Sequence, residues 1–150
     1  MAGVRRSAHS ADVPGQHVYA APIEPATDQD VLLALNRRFY EAFEARDLDG
    51  MSEIWDHGDD VVCTHPGWTT LHGWAAVAAS WFALFQGPVN QFILTNEVVA
   101  VAGDAGWVSV DENVIAEQGG GGTVAALNLF VRRDAGWRMV AHHGSSVVPQ

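Results

Sequence analysis

Apolar residues first recur at helical spacing after Thr27. Leu32, Leu35, Phe39 and Phe43 form one stripe that ends near Arg46. Thr27, followed by Asp28 and Asp30, has the chemistry of a helix start. A shorter helix is expected after Asp49-Gly50, with Met51, Ile54 and Trp55 as its buried side. His57 to Asp60 reads as a loop, and Val61 to His65 as a strand stopped by Pro66-Gly67. A third helix opens after Gly73, carries Trp74, Val77, Ala78, Trp81 and Phe85 on one face, and stops at Gly87-Pro88. From there the period is two, which predicts strands at about 90–102, 106–117, 123–133 and 137–148. Gly103-Asp104-Ala105-Gly106 and Asp134-Ala135-Gly136 are hairpin turns, and Gly119 to Gly122 is a flexible connection. Helices first and hairpin-linked strands afterwards predict an α+β domain, with three N-terminal helices on one face of a strongly curved antiparallel or mixed sheet. Residues 1–26 contain Pro14, Gly15, Pro22 and Pro25 without sustained periodicity, so they read as a flexible tail before a domain at 27–150.

The strand pattern puts polar groups where apolar ones belong. His65 shares a face with Val61 and Cys63, Glu112 with Val108 and Val110, and Asn128 with Ala126 and Phe130. In the last strand strict alternation groups His143 with Trp137, Met139 and Ala141, so His143 rather than His142 is expected inside. Four costly polar groups on four strands suggest one polar-studded apolar pocket. Each also has a plainer reading. His65 can bond to backbone at a strand end, Asn128 can cap a loop, and Glu112 can sit at a sheet edge or meet an Arg across a subunit interface. The Trp and Phe residues are core first, whatever else they line. Cys63 with His65 is weak evidence for a thiol nucleophile. His65, His72, His142 and His143 match no compact metal-ligand spacing, so no metal is expected. The Gly119–Gly122 run lacks a phosphate loop's ending.

Composition narrows the classes. With 48% hydrophobic and 17% charged residues, the 150-residue chain is of ordinary globular type and one-domain size. Eight Arg, no Lys and eighteen acidic residues give a net charge of −10, which disfavours nucleic acid and anionic lipid as partners. No apolar run is long enough to span a bilayer. Arg5-Arg6 is followed by Ser7-Ala8-His9-Ser10 where a signal peptide needs apolar residues. With a single cysteine, this predicts a cytoplasmic protein without intrachain disulfides.

Three stretches, FYEAFEARDLDGMSEIW, VVCTHPGWTTLHGWAAVAASW and GWRMVAHHGSS, resemble a SnoaL-like, ketosteroid-isomerase-like domain of the nuclear-transport-factor superfamily. The resemblance implies a cone enclosing one pocket, and usually a homodimer, here through the outer face of the sheet. Ketosteroid isomerases use a carboxylate base with an oxyanion hole of Tyr and protonated Asp. The matching positions are Tyr40, His65 for the base, and Asn128 for the second oxyanion donor, so two carboxyl groups are replaced. The expected activity is acid/base chemistry on a small apolar carbonyl compound such as a polyketide, steroid or terpenoid. His65 would move a proton and His143 would be a second acid/base. Trp55, Trp68, Trp81, Glu112 and Phe130 would line the substrate. No cofactor is implied, since proton transfer needs none. A non-catalytic ligand-binding or oligomerisation domain is the alternative.

Overall fold

The computed structural model describes residues 24–150, so the tail expected at residues 1–26 lies almost wholly outside the described residues. Helix α1 (Asp28–Ala45) starts where the sequence puts it. The Thr27 hydroxyl accepts from the Asp30 N–H and the Asp30 carboxylate accepts from the Thr27 N–H, closing a capping box. Helix α2 (Leu48–Ile54) begins one turn earlier than expected, because Asp47 accepts from the Gly50 N–H at 3.0 Å and caps it. Strand β1 (Val62–Thr64) and the two-residue β2 (Leu71–His72) precede helix α3 (Trp74–Phe85). β2 is too short to show a period, and the sequence reading missed it.

Strands β3 (Asn90–Ala102), β4 (Ala105–Ala116), β5 (Thr123–Arg133) and β6 (Gly136–Ser146) form the meander that the period-two pattern predicts. The sheet is mixed and open, in the order β2-β1-β6-β5-β4-β3. β1 runs parallel to β6, and every other pair is antiparallel. The helices cover one face, where Phe39, Met51, Ile54, Trp55, Val77, Trp81, Val108, Phe130 and Met139 are buried. Each such side chain contributes roughly 1.5–3 kcal/mol by leaving water. No helix among the described residues is long and apolar enough to cross a membrane.

Two bulges decide which polar side chains enter this interior. In β3 the pairing jumps from Thr95↔Asp111 to Val98↔Ser109, so Asn96 and Glu97 face one partner residue. Asn96 takes a left-handed φ of 54°, and the inner face switches from Phe92 and Leu94 to Glu97, Val99 and Val101. In β6 the pairing jumps from Phe130↔Met139 to Leu129↔Ala141, leaving Val140 as the extra residue. Below this bulge Trp137 and Met139 are buried, and above it His142 and Gly144 are. His143, expected inside, is exposed, because the bulge breaks the alternation on which that expectation rested.

Candidate active site

A cavity of about 190 Å³ opens between α1, α3, the β1–β2 loop and the inner face of the sheet. Its apolar wall is Phe43, Pro66, Leu84, Phe92, Val114 and Val124, with Trp68 at its edge, 43% exposed. Three titratable side chains enter this wall: His65, Glu112 and His142. The volume equals about six waters at liquid density, which limits an occupant to a small molecule.

His65 reaches the cavity because β1 ends at Thr64, just ahead of Pro66, and Gly144 lets that corner close onto the sheet. A Cβ at Gly144 would lie 3.1 Å from Val124 Cγ1 and 3.2 Å from Pro66 Cδ. The imidazole packs edge-on against Trp68 and Trp81, both 4.8 Å away between ring centres. Its Nε2 lies 2.9 Å from Ser80 Oγ, whose own proton goes to the Val77 carbonyl at 2.6 Å. Ser80 therefore accepts, so His65 carries its proton on Nε2 and keeps a lone pair on Nδ1. Burial pushes its pKa down to about 4, because a desolvated ring resists charging.

His142 is the second imidazole, 6.3 Å from His65 between ring centres. Burial, then the neighbouring His65 and His143, push its pKa down to about 3. Its Nδ1 lies 2.5 Å from Asn128 Oδ1. The Asn128 amide in turn donates from Nδ2 to Asn36 Oδ1 at 2.7 Å and to the Tyr40 hydroxyl at 3.2 Å. Both imidazoles are thus neutral at physiological pH, with their N–H groups already engaged. Toward anything else in the cavity they present lone pairs.

Glu112 sits on β4 with its carboxyl buried in the same wall. Tyr40 donates to its Oε1 at 2.7 Å. Desolvation raises its pKa to about 7, opposed in part by the Tyr40 hydrogen bond. The Tyr40 phenol is itself held well above its ordinary range, first by burial and then by the Glu112 charge. The sheet-edge reading of Glu112 fails, because β4 lies between β5 and β3 and the side chain is buried on the inner face.

Several expectations need correcting against this geometry. Tyr40 and Asn128 do not line the cavity. They form a buried layer behind Glu112 and His142, and the donors expected to hold an oxyanion are already spent inside that layer. Trp55, Trp81 and Phe130 are core residues outside the cavity wall, whereas Trp68 and Glu112 belong to it. Cys63 lies 3.7 Å from His65 Nε2, but burial raises its thiol to about 12, which removes the thiolate a nucleophile needs. Among the described residues, no three His, Cys, Asp or Glu side chains come together as a metal site.

The sequence reading overlooked Asn36 and Glu97. Asn36 is fully buried on the α1 stripe, four residues after Leu32 and three before Phe39, and that spacing was visible. Glu97 turns inward only through the β3 bulge. The one sequence signal was the apolar phase changing from Phe92 and Leu94 to Val99 and Val101.

Comparison with known proteins places the chain among relatives of this architecture. Residues 32–149 match the model of the SnoaL-like domain. A candidate dehydratase of the NTF2-like family from Streptomyces avermitilis is 34% identical, with a TM-score of 0.76 over 81% of this chain and 97% of that one. A candidate calcium/calmodulin-dependent protein kinase type II association domain from Thiobacillus denitrificans is 38% identical, with a TM-score of 0.69 over 77% of this chain and 94% of that one. The F-box protein SKIP8 of Arabidopsis thaliana is 25% identical over 115 residues, which are 76% of this chain and about half (48%) of that protein.

Proposed function

Because the chain belongs to the SnoaL-like family and a small cavity on the inner face of its sheet combines an apolar wall with His65, Glu112 and His142, we propose that it is a cofactor-independent proton-transfer enzyme of isomerase, cyclase or dehydratase type. Its substrate is a small apolar carbonyl compound that also carries a hydroxyl, of the size of a polyketide, steroid or terpenoid fragment rather than of an intact steroid. The observation that supports this most is Glu112, a buried carboxyl facing an apolar cavity with its pKa raised to about 7. An acid/base group transfers protons best when its pKa lies near the working pH. The general base expected from sequence, His65, is less well matched, since a pKa near 4 keeps it neutral but makes it a weak proton acceptor.

In this reading Glu112 takes a proton from the carbon beside the carbonyl and returns it to another carbon, or delivers it to a departing hydroxyl. The Tyr40 hydrogen bond steadies the carboxylate half of that cycle. His65 and His142, offering lone pairs, accept from the substrate hydroxyl and hold the molecule across the cavity. The likeness to a candidate dehydratase supports this class of chemistry.

A ligand in the cavity meets Trp68 at the edge. A small cyclic or aromatic hydroxyketone is therefore expected to shift tryptophan emission and to appear as a 1:1 adduct in native mass spectrometry. Trp68→Phe should abolish most of the emission change while keeping the adduct. An adduct with an unchanged emission response in Trp68→Phe would place the ligand elsewhere.

The likeness to a kinase association domain favours a second reading, an assembly domain without turnover. The two share one expectation, a homodimer through the outer sheet face. That face leaves Ile93, Val98, Ile115 and Leu127 about half exposed, which is apolar surface to cover. Sedimentation at micromolar concentration is expected to show a species near twice the 16.1 kDa chain mass, and a lone monomer would refute the dimer. The lone buried Cys63 fits a reducing cytoplasm.

A further inference from the structure

We propose that Glu97 is a remote positioning residue, whose carboxylate sets the donor and acceptor sense of the whole buried network and so fixes the tautomer of His142. The catalytic consequence rests on the proposed function, but the tautomer itself does not.

The inference starts from chemistry that leaves no choice. A carboxylate only accepts hydrogen bonds, whereas an Asn side chain can turn over and exchange its oxygen for its nitrogen. Glu97 Oε1 lies 2.9 Å from Asn36 Nδ2, so Asn36 must present its NH₂ to Glu97. Its oxygen then faces Asn128 and can only accept, which turns the Asn128 NH₂ toward it at 2.7 Å. Asn128 Oδ1 is left facing His142, and that nitrogen must carry the proton. The lone pair of His142 is thereby confined to Nε2. The second Asn128 proton goes to the Tyr40 oxygen at 3.2 Å, so the Tyr40 proton is directed to Glu112 at 2.7 Å.

Every link is buried except the first. Asn36 and Asn128 are fully buried, His142 and Tyr40 nearly so, while Glu97 is half-buried at the sheet margin. Once charged, Glu112 imposes the same sense from the other end through Tyr40, so Glu97 decides it while Glu112 is protonated. Without Glu97 both amides could then turn over together at little cost. His142 would then receive an N–H, shift its proton to Nε2, and lose its free lone pair there. Tyr40 would donate to Asn128, leaving Glu112 without the hydrogen bond that favours its charged form. The β3 bulge, with Asn96 in the left-handed region, is what turns the carboxylate to this post.

The test is ¹⁵N NMR of the imidazole rings in the full chain, with no substrate present and at about pH 6, where Glu112 holds its proton. Wild type is expected to show a single His142 tautomer, protonated at Nδ1. Glu97→Gln, which can accept or donate, should give a mixture with protonated Nε2, together with an upward shift of the Glu112 titration midpoint read by carboxyl ¹³C NMR. Glu97→Asp remains acceptor-only and should keep the Nδ1 tautomer. Retention of the pure Nδ1 tautomer in Glu97→Gln would overturn the proposal, as would equal mixtures in Glu97→Gln and Glu97→Asp. A protein without turnover would refute the proposed function and leave this result standing.

Discussion

Glu112→Gln is expected to make the protein more stable above pH 7, by on the order of 3 kcal/mol, while leaving stability below pH 4.5 little changed. The reason is the raised carboxyl. Unfolded, the side chain ionises near its ordinary 4.5; folded, it holds its proton to about 7. Between those values the native state binds the extra proton, so stability falls as pH rises through the window. The full cost is present above 7. At about 1.4 kcal/mol per pH unit the size of that cost follows. Gln keeps an oxygen to accept from Tyr40 and never ionises. The two histidines act in the opposite sense, since their folded pKa values lie below the unfolded 6.5 and stability is lost as pH falls from there toward 3 or 4. They are common to both proteins, so they cancel in the difference. Urea unfolding at pH 4.5 and pH 8.5 gives the comparison, and equal stabilities at pH 8.5 would show that Glu112 carries no burial cost.

The same substitution is expected to lower the rate of proton transfer by roughly 10²–10⁴-fold, because it removes the one carboxyl among the described residues that line the cavity, and its movable proton. A variant that is more stable yet inactive is the signature of a group kept for chemistry against its folding cost. His65→Gln should behave differently. It keeps an acceptor toward the substrate hydroxyl and a donor toward Ser80, so the loss should fall mainly on KM, with a smaller effect on kcat. The kcat profile of wild type should turn near pH 7, where Glu112 changes charge, and show no break near 6.5 from an ordinary histidine. A kcat loss larger in His65→Gln than in Glu112→Gln would return the proton to the imidazole.

Much of this was legible in the chain, for identifiable reasons. The α1 stripe, the Thr27 cap and the four long strands follow local rules of period and turn chemistry that tertiary packing did not override. His65, Glu112 and Asn128 were found because unbroken alternation places them among apolar neighbours. His142 and Glu97 were not, since each owes its inward direction to a bulge that resets the phase. Strict alternation therefore chose His143. Nor could period alone separate the cavity wall from the layer behind it. Asn128 shares the inner sheet face with Glu112 and His142, and Tyr40 meets it from α1, yet the Tyr40 proton is spent on Glu112 and the Asn128 amide on Asn36 and Tyr40. Family likeness pointed to Tyr40 and Asn128 as oxyanion donors. In the structure those donors already have protein partners.

Hydrogen exchange at carbon tests proton transfer without requiring knowledge of the finished reaction. A small hydroxyketone that forms a 1:1 adduct with the protein is incubated with it in D₂O at pD near 7, and deuterium beside the carbonyl is followed by mass spectrometry. The account predicts incorporation well above the buffer rate with wild type, and a loss of roughly 10²-fold or more with Glu112→Gln. A ligand that binds in the cavity and acquires deuterium no faster than in buffer, or equally fast with Glu112→Gln, would contradict it.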